Sequence, residues 1–184
     1  MTWWTGSVMS MGYVVRSPSE GDADAMGSVH SRAWRAAYSG GLMPDESLDS
    51  LSVQFRADMW RQRLAQPVAD RSARLVVEGP AGVVVGFART GPEEHDDAAA
   101  GGELYAINVD PDSWGTGAGR VLHAAALDAL RDAGFTRAVL WVLPENRRAR
   151  HFYEIFGWQA DNVERIATIR GFEVPEVRYS LNLV

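Results

Sequence analysis

Three glycines at alternate positions feed directly into an alanine- and leucine-rich run in DPDSWGTGAGRVLHAAALDAL, residues 110–130. No other stretch limits the fold of this chain so strongly. Gly115, Gly117 and Gly119 can reach backbone conformations closed to other residues, and the run behind them has the composition of a helix. A helix N-terminus carries unpaired N–H groups and partial positive charge. Gly115, Thr116, Gly117, Ala118, Gly119 and Arg120 are therefore a candidate phosphate cradle. A tight helix-packing turn is the competing reading. The strand-like ELYAINVD (103–110) precedes the turn. A dinucleotide fingerprint, G-x-G-x-x-G directly after a strand, does not fit: the glycines run G-x-G-x-G and PDSW intervenes.

The rest of the chain supplies partners for that unit. YVVRS (13–17), ARLVVEG, GVVVGFART and RAVLWVL (137–143) read as strands, with GPAG as a hairpin turn. Ser19 can cap a helix through DADAMGSVHSRAWRAAY, and a second helical region runs from 45 to 65. RRARHFYEIF is a short helix stopped by Gly157, and the tail, 163–183, holds two strands with Gly171 and Pro175 between them. The order predicts one mixed α/β domain over residues 12–184, with residues 1–11 as a loose extension.

Composition removes several chemistries. The chain has no cysteine and all 18 of its basic residues are arginine. Thiol nucleophiles, disulfides, Schiff-base lysines and lysine-bearing phosphate loops are thereby excluded. A net charge of −6 argues against nucleic acid as the main partner. No apolar run reaches membrane-spanning length and the N-terminus lacks the pattern of a secretory signal, so a cytoplasmic protein with no membrane partner is expected. His30, His123 and His151 show no ligand spacing, and no metal is expected.

The turn WGTGAG, following a strand and opening a helix, resembles the central motif Q/R-x-x-G-x-G/A of the GNAT superfamily of acyl-CoA-dependent N-acetyltransferases. Trp114 stands where that motif usually has Gln or Arg. A second stretch, NRRARHFYEIFGW, matches the family's later motif through Asn146, Ala149, Tyr153, Gly157 and Trp158. The resemblance spans about residues 12–183. It implies a mostly antiparallel twisted sheet of about seven strands flanked by about four helices, splayed at the strand pair that binds the coenzyme. It implies acetyl-CoA as co-substrate and a small-molecule primary amine as acceptor, the amine attacking the thioester directly in a ternary complex. Dimerisation is common in the family, and the C-terminal strands of this chain offer an edge for it.

Residue by residue, the resemblance places the pantetheine arm beside Ile107, Asn108 and Val109, with the Val109 N–H as candidate oxyanion donor, and the pyrophosphate on Gly115–Arg120. Asn146 and Ala149 fall at the coenzyme contact; Asn146 also reads as a helix cap. Tyr153 is the candidate acid for the departing thiolate, since a phenol is protonated at neutral pH. From the residues alone a core tyrosine on an amphipathic helix is the favoured reading, and it is the motif that turns the balance to the acid. Glu103 opens the strand at the spacing of a catalytic glutamate in the histone-acetyltransferase branch, and burial would raise its pKa toward neutrality. An exposed strand start with a water relay as base is the other reading. The acceptor pocket would draw on AWRAAYSGGLMP, with Trp34, Arg35, Tyr38 and Met43. Trp34 and Tyr38, spaced i, i+4, also suit core packing. The loop EEHDD (93–97) could attract a cationic amine or be a solvated charge run. Two further readings stand beside the small-molecule enzyme: a protein or peptide N-terminal acetyltransferase, and a non-catalytic acyl-CoA-binding module.

Overall fold

A computed structural model describes residues 8–10, 12–39, 52–94, 101–169 and 171–184. The β-branched runs pair as antiparallel strands. Val8–Ser10 (β1) and Tyr13–Arg16 (β2) form a hairpin. Three residues of the expected loose extension thus belong to the sheet. Ser19 opens a short helical turn, Glu20–Asp22, its N–H donating to the Asp22 carboxylate at 2.6 Å. That turn runs straight into α1, Ala23–Tyr38.

Helix α2 spans Val53–Leu64, and the Ser52 hydroxyl accepts from the Phe55 N–H at its start. The portion of this helix expected from residue 45 lies outside the described residues, as does Met43. Then come β3 (Ala73–Glu78), β4 (Val84–Pro92), β5 (Gly102–Val109), α3 (Ala118–Asp132), β6 (Arg137–Val142), α4 (Arg147–Ile155), β7 (Gln159–Ile169) and β8 (Phe172–Asn182). Pro175 lies inside β8 rather than between two strands. Pairing of β8 with β6 ends at Val142↔Val177, so its missing N–H breaks no bond to β6.

The eight strands form one sheet in the order β1-β2-β3-β4-β5-β6-β8-β7. The short β1 is the addition to the seven expected. Every neighbouring pair is antiparallel except β5–β6. That parallel pair holds through only Gly102↔Ala138 and Glu103↔Val139 before the strands part. A register shift between Arg89 and Thr90 bulges the β4–β5 ladder just where the parting begins, and bulges bend and twist a strand.

Helices cover both faces. Under α3 lie Val15, Val77, Ala88, Leu104 and Leu140; under α1 and α2 lie Val76 and Phe87, against which Trp60 of α2 packs. The approach of α1 to α2 depends on Gly27. A Cβ there would stand 2.6 Å from the Ala57 backbone nitrogen, so any side chain would push the helices apart. No described helix is long and apolar enough to cross a membrane.

Candidate active site

Parting of β5 from β6 opens a cleft of about 580 Å³ between the two strands, walled by α1, the glycine turn and α4. Its chemistry begins with backbone groups. The first bond of α3 runs from the Val121 N–H to the Gly117 carbonyl. The N–H groups of Ala118, Gly119 and Arg120 therefore have no acceptor within the helix. Gly115 and Gly117 have φ values of 76° and 102°, left-handed conformations that favour glycine. They turn the chain from the strand into the helix start. Ala118 is the exception among the expected coenzyme contacts: it is fully buried against the core and does not line the cleft. Arg32 of α1 pairs with Asp110 and Asp112 at 3.2 and 2.7 Å, fixing the turn against the first helix.

The edge of β5 is the second backbone feature. The Asp110 N–H donates to the Val85 carbonyl at 2.8 Å, and Gly86 lies opposite Val109. In an antiparallel ladder, residues that bond the neighbour alternate with residues that point away from it. The N–H and C=O of Val109, and of Ile107 two residues earlier, therefore face the gap left by β6. The Trp114 indole N–H takes the Val109 carbonyl at 2.8 Å. The Val109 N–H and both groups of Ile107 remain along the open edge. Trp114, the departure from the usual Gln or Arg, thus caps a strand carbonyl. It also carries a cation on its face: the Arg148 guanidinium lies 3.8 Å from its ring. Nothing in the residue pattern singled out Arg148, because the contact joins a loop to a later helix.

Side chains complete the cleft. The Asn146 amide oxygen accepts from the Ala149 N–H at 3.1 Å, capping α4, and the same side chain lies near the Tyr38 hydroxyl. Trp34 and Tyr38 both line the cleft, their rings edge to face at 5.1 Å. Tyr153 is 8% exposed and packs between Phe152 and Trp158. Its hydroxyl has no hydrogen-bond partner among the described residues, and burial and the neighbouring Tyr38 push its pKa far above the usual phenol value. It is therefore a protonated donor facing the cleft.

Glu103 stands just outside the walls, which begin at Leu104. It is 5% exposed, accepts a bond from the Glu94 N–H at 3.2 Å, and burial raises its pKa from 4.5 to about 7. The expected acidic attraction at residues 93–97 does not operate through Glu93. Its carboxylate is buried in ion pairs with Arg137 and Arg178 at 3.4 and 3.1 Å; residues 95–97 lie outside the described residues. Among the described residues, no group of three His, Asp or Glu side chains is arranged to hold a metal ion.

Comparison with known proteins identifies this architecture. Residues 40–158 match the acetyltransferase (GNAT) family. The chain belongs to that family. An uncharacterized N-acetyltransferase of Bacillus subtilis, YuaI, is 32% identical over 164 residues, covering 89% of this chain and 87% of the relative. A mycothiol acetyltransferase of Propionibacterium freudenreichii is 38% identical over 98 residues, 53% of this chain but 31% of that longer protein. Among solved structures, the PaiA N-acetyltransferase of Thermoplasma acidophilum in complex with coenzyme A superposes with a TM-score of 0.67 at 16% identity. The match covers 95% of this chain and 99% of that one. The acetyltransferase YncA of Salmonella typhimurium with acetyl-CoA gives 0.66 at 19% identity, covering 94% and 95%. These likenesses establish the shared fold.

Proposed function

We propose that this GNAT-family protein transfers an acetyl group from acetyl-CoA to the primary amine of a small molecule, by direct attack within a ternary complex. The observation that carries this reading is the gap between β5 and β6, with free strand-edge N–H and C=O groups along one side and unpaired helix N–H groups at its end. An acyl-pantetheine arm has amides to pair with a strand edge and a diphosphate to sit on a helix start. The coenzyme A and acetyl-CoA bound by the fold neighbours from Thermoplasma acidophilum and Salmonella typhimurium support the same occupant.

In this mechanism Ile107 and Asn108 flank the pantetheine, and the Val109 N–H donates to the thioester oxygen as it gains charge. Gly115 to Arg120 hold the diphosphate. Arg148, laid on Trp114, supplies the cation that Gln or Arg would otherwise bring to that turn. The amine must lose a proton to attack. Glu103, with a pKa near neutrality and a place just beyond the cleft wall, takes it through an intervening water. As the C–S bond breaks, Tyr153 gives its phenolic proton to the thiolate. No residue is acylated. The sequence has neither cysteine nor lysine, and the Thr116 hydroxyl is already engaged with Tyr13 and the Ser113 carbonyl. A cleft of this volume, closed at one side by Trp34 and Tyr38, suits a small amine better than a peptide strand.

Initial rates with acetyl-CoA and a panel of primary amines test the scheme. Intersecting lines are expected, with no mass change on the protein after incubation with acetyl-CoA alone. Parallel ping-pong lines, or an acetyl adduct on the chain, would show a covalent route instead.

A further inference from the structure

The face of the sheet beneath α1 and α2 carries a set of cations that the coenzyme reading does not use. Arg74 of β3 and Arg89 of β4 are direct cross-strand partners. They share the face of Val76 and Phe87, the residues packed under α1 and α2. Like charges placed directly opposite one another destabilise a sheet. Arg74 has a structural role. It donates to the carbonyls of Arg63, Gln66 and Pro67 at 2.6, 2.9 and 3.2 Å, closing the C-terminal end of α2. That brings Arg63 to the same spot. Arg63 and Arg89 themselves have neither a hydrogen bond nor an ion pair from their guanidinium groups among the described residues. Their contacts are aromatic, Arg63 at 5.4 Å from the Trp60 ring and Arg89 at 5.3 Å from the Tyr105 ring. Both are half-buried, and burial lowers the pKa of each, with Arg63 and Arg74 adding repulsion at Arg89. The acidic group acting on Arg89 is the exposed Glu94.

This cluster adjoins the acceptor end of the cleft. Arg89 lies opposite Ala106, and Tyr105 and Ala106 both line the cleft. The bulge that sets off the splay falls at Arg89 itself. Behind it, His30 meets Trp34, which is also a cleft wall, edge to face, and burial with Arg56, Arg63 and Arg89 nearby keeps His30 neutral. His30 Nδ1 and Trp60 Nε1 are buried without a hydrogen-bond partner among the described residues.

We propose that Arg63 and Arg89 form an anion-binding end of the acceptor site, so that the acceptor is a small amine that also bears a carboxylate or phosphate group. The proposal rests on the acetyltransferase reading above. Guanidinium groups held half-desolvated, against a like charge and with their donors unused, are arranged for an anionic partner that the folded chain does not provide. The amine of such an acceptor would then lie toward Glu103 and the thioester.

A matched panel of amines tests this. The L-amino acids are compared with their carboxamides, and phosphoethanolamine with ethanolamine, with product followed by mass spectrometry. The anionic member of at least one pair is expected to exceed its neutral partner by about 10- to 100-fold in kcat/KM. Arg89→Gln should bring that ratio toward one and leave acetyl-CoA affinity unchanged by calorimetry. Its Tm should equal or exceed that of the unmodified protein, because a like-charge pair is removed. Arg63→Gln serves the same purpose if Arg89→Gln does not fold. A preference confined to phosphoethanolamine identifies the anion as phosphate and keeps the site. Neutral amines used as well as anionic ones, no anionic amine used, or a ratio that survives both substitutions overturns the proposal. Failure of the unmodified protein to bind acetyl-CoA at all identifies the underlying acetyltransferase reading as the fault.

Discussion

The two ends of the cleft are built from different materials. The coenzyme end is mostly main chain: the N–H groups at the start of α3, the free edge of β5, and two glycines in left-handed conformations. The end proposed for the acceptor is mostly side chain: Trp34 and Tyr38 from α1, Tyr105 from β5, Trp141 from β6 and Glu176 from β8 all line the cleft. A main-chain site needs only a local run of residues with the right conformational freedom. A side-chain site draws one residue from each of several distant elements. The first can be reused unchanged for one shared ligand, while the second can be altered residue by residue to suit many.

Substitutions at the two ends should therefore fail differently. Tyr153 lies where the two ends meet, and its loss should have the largest effect. Tyr153→Phe keeps the ring packed against Phe152 and Trp158 and removes only the proton donor. kcat is expected to fall by about 10² to 10⁴ with little change in KM or Tm. Near-normal turnover with a lowered Tm would reassign this residue to packing. Next is Gly117→Asp, which forces a side chain into a φ of 102° and sets a carboxylate at the helix start. Affinity for acetyl-CoA should fall by about 100-fold in calorimetric titration. Unchanged affinity would mean that the turn only packs α3.

Glu103→Gln should have the smallest effect on rate, about tenfold, and the most distinctive pH dependence. In the unmodified protein kcat/KM should rise with pH up to about 7 and then level; the Gln variant should lose that rise. Stability carries the opposite sign. The folded protein holds the Glu103 proton more tightly than the unfolded chain does. Its contribution is therefore complete below the ordinary carboxylate value of 4.5 and is lost as pH rises to about 7. Melting the two proteins at pH 5 and pH 8 should show the Gln variant gaining on the unmodified protein at the higher pH. A gap that does not change with pH removes Glu103 from the titrating groups.

Main-chain chemistry also explains what could be read from residue order. Gly115, Gly117 and the helix after them are contiguous, so strand, turn and helix were legible together, and Asn146 with Tyr153 fixed the second motif. The pairing order of β6, β8 and β7 was not, because nothing local says which strand a returning chain will join. Arg148 on Trp114 and Arg89 beside Tyr105 were hidden for the same reason: each contact joins segments far apart in sequence. Glu103 was visible as an acid at a strand start. Its burial was not, since that depends on the Glu94 backbone and on the tail strands that bring Arg165 near.

The two residue pairs that join β5 to β6 also set how force and order pass through the molecule. On one side lie β1 to β5; on the other β6, β8 and β7. Beyond Glu103↔Val139 the ladder between these blocks is unzipped, and a molecule lying in the gap becomes the missing rung of the sheet. Binding there ties the block that carries Trp34 and Tyr38 to the block that carries Trp141 and Glu176. The walls of the proposed acceptor site come from both blocks, so on that reading the co-substrate finishes the room into which the acceptor is admitted. With the coenzyme in that gap as proposed, donor before acceptor is the order of entry expected, and product-inhibition patterns would check it.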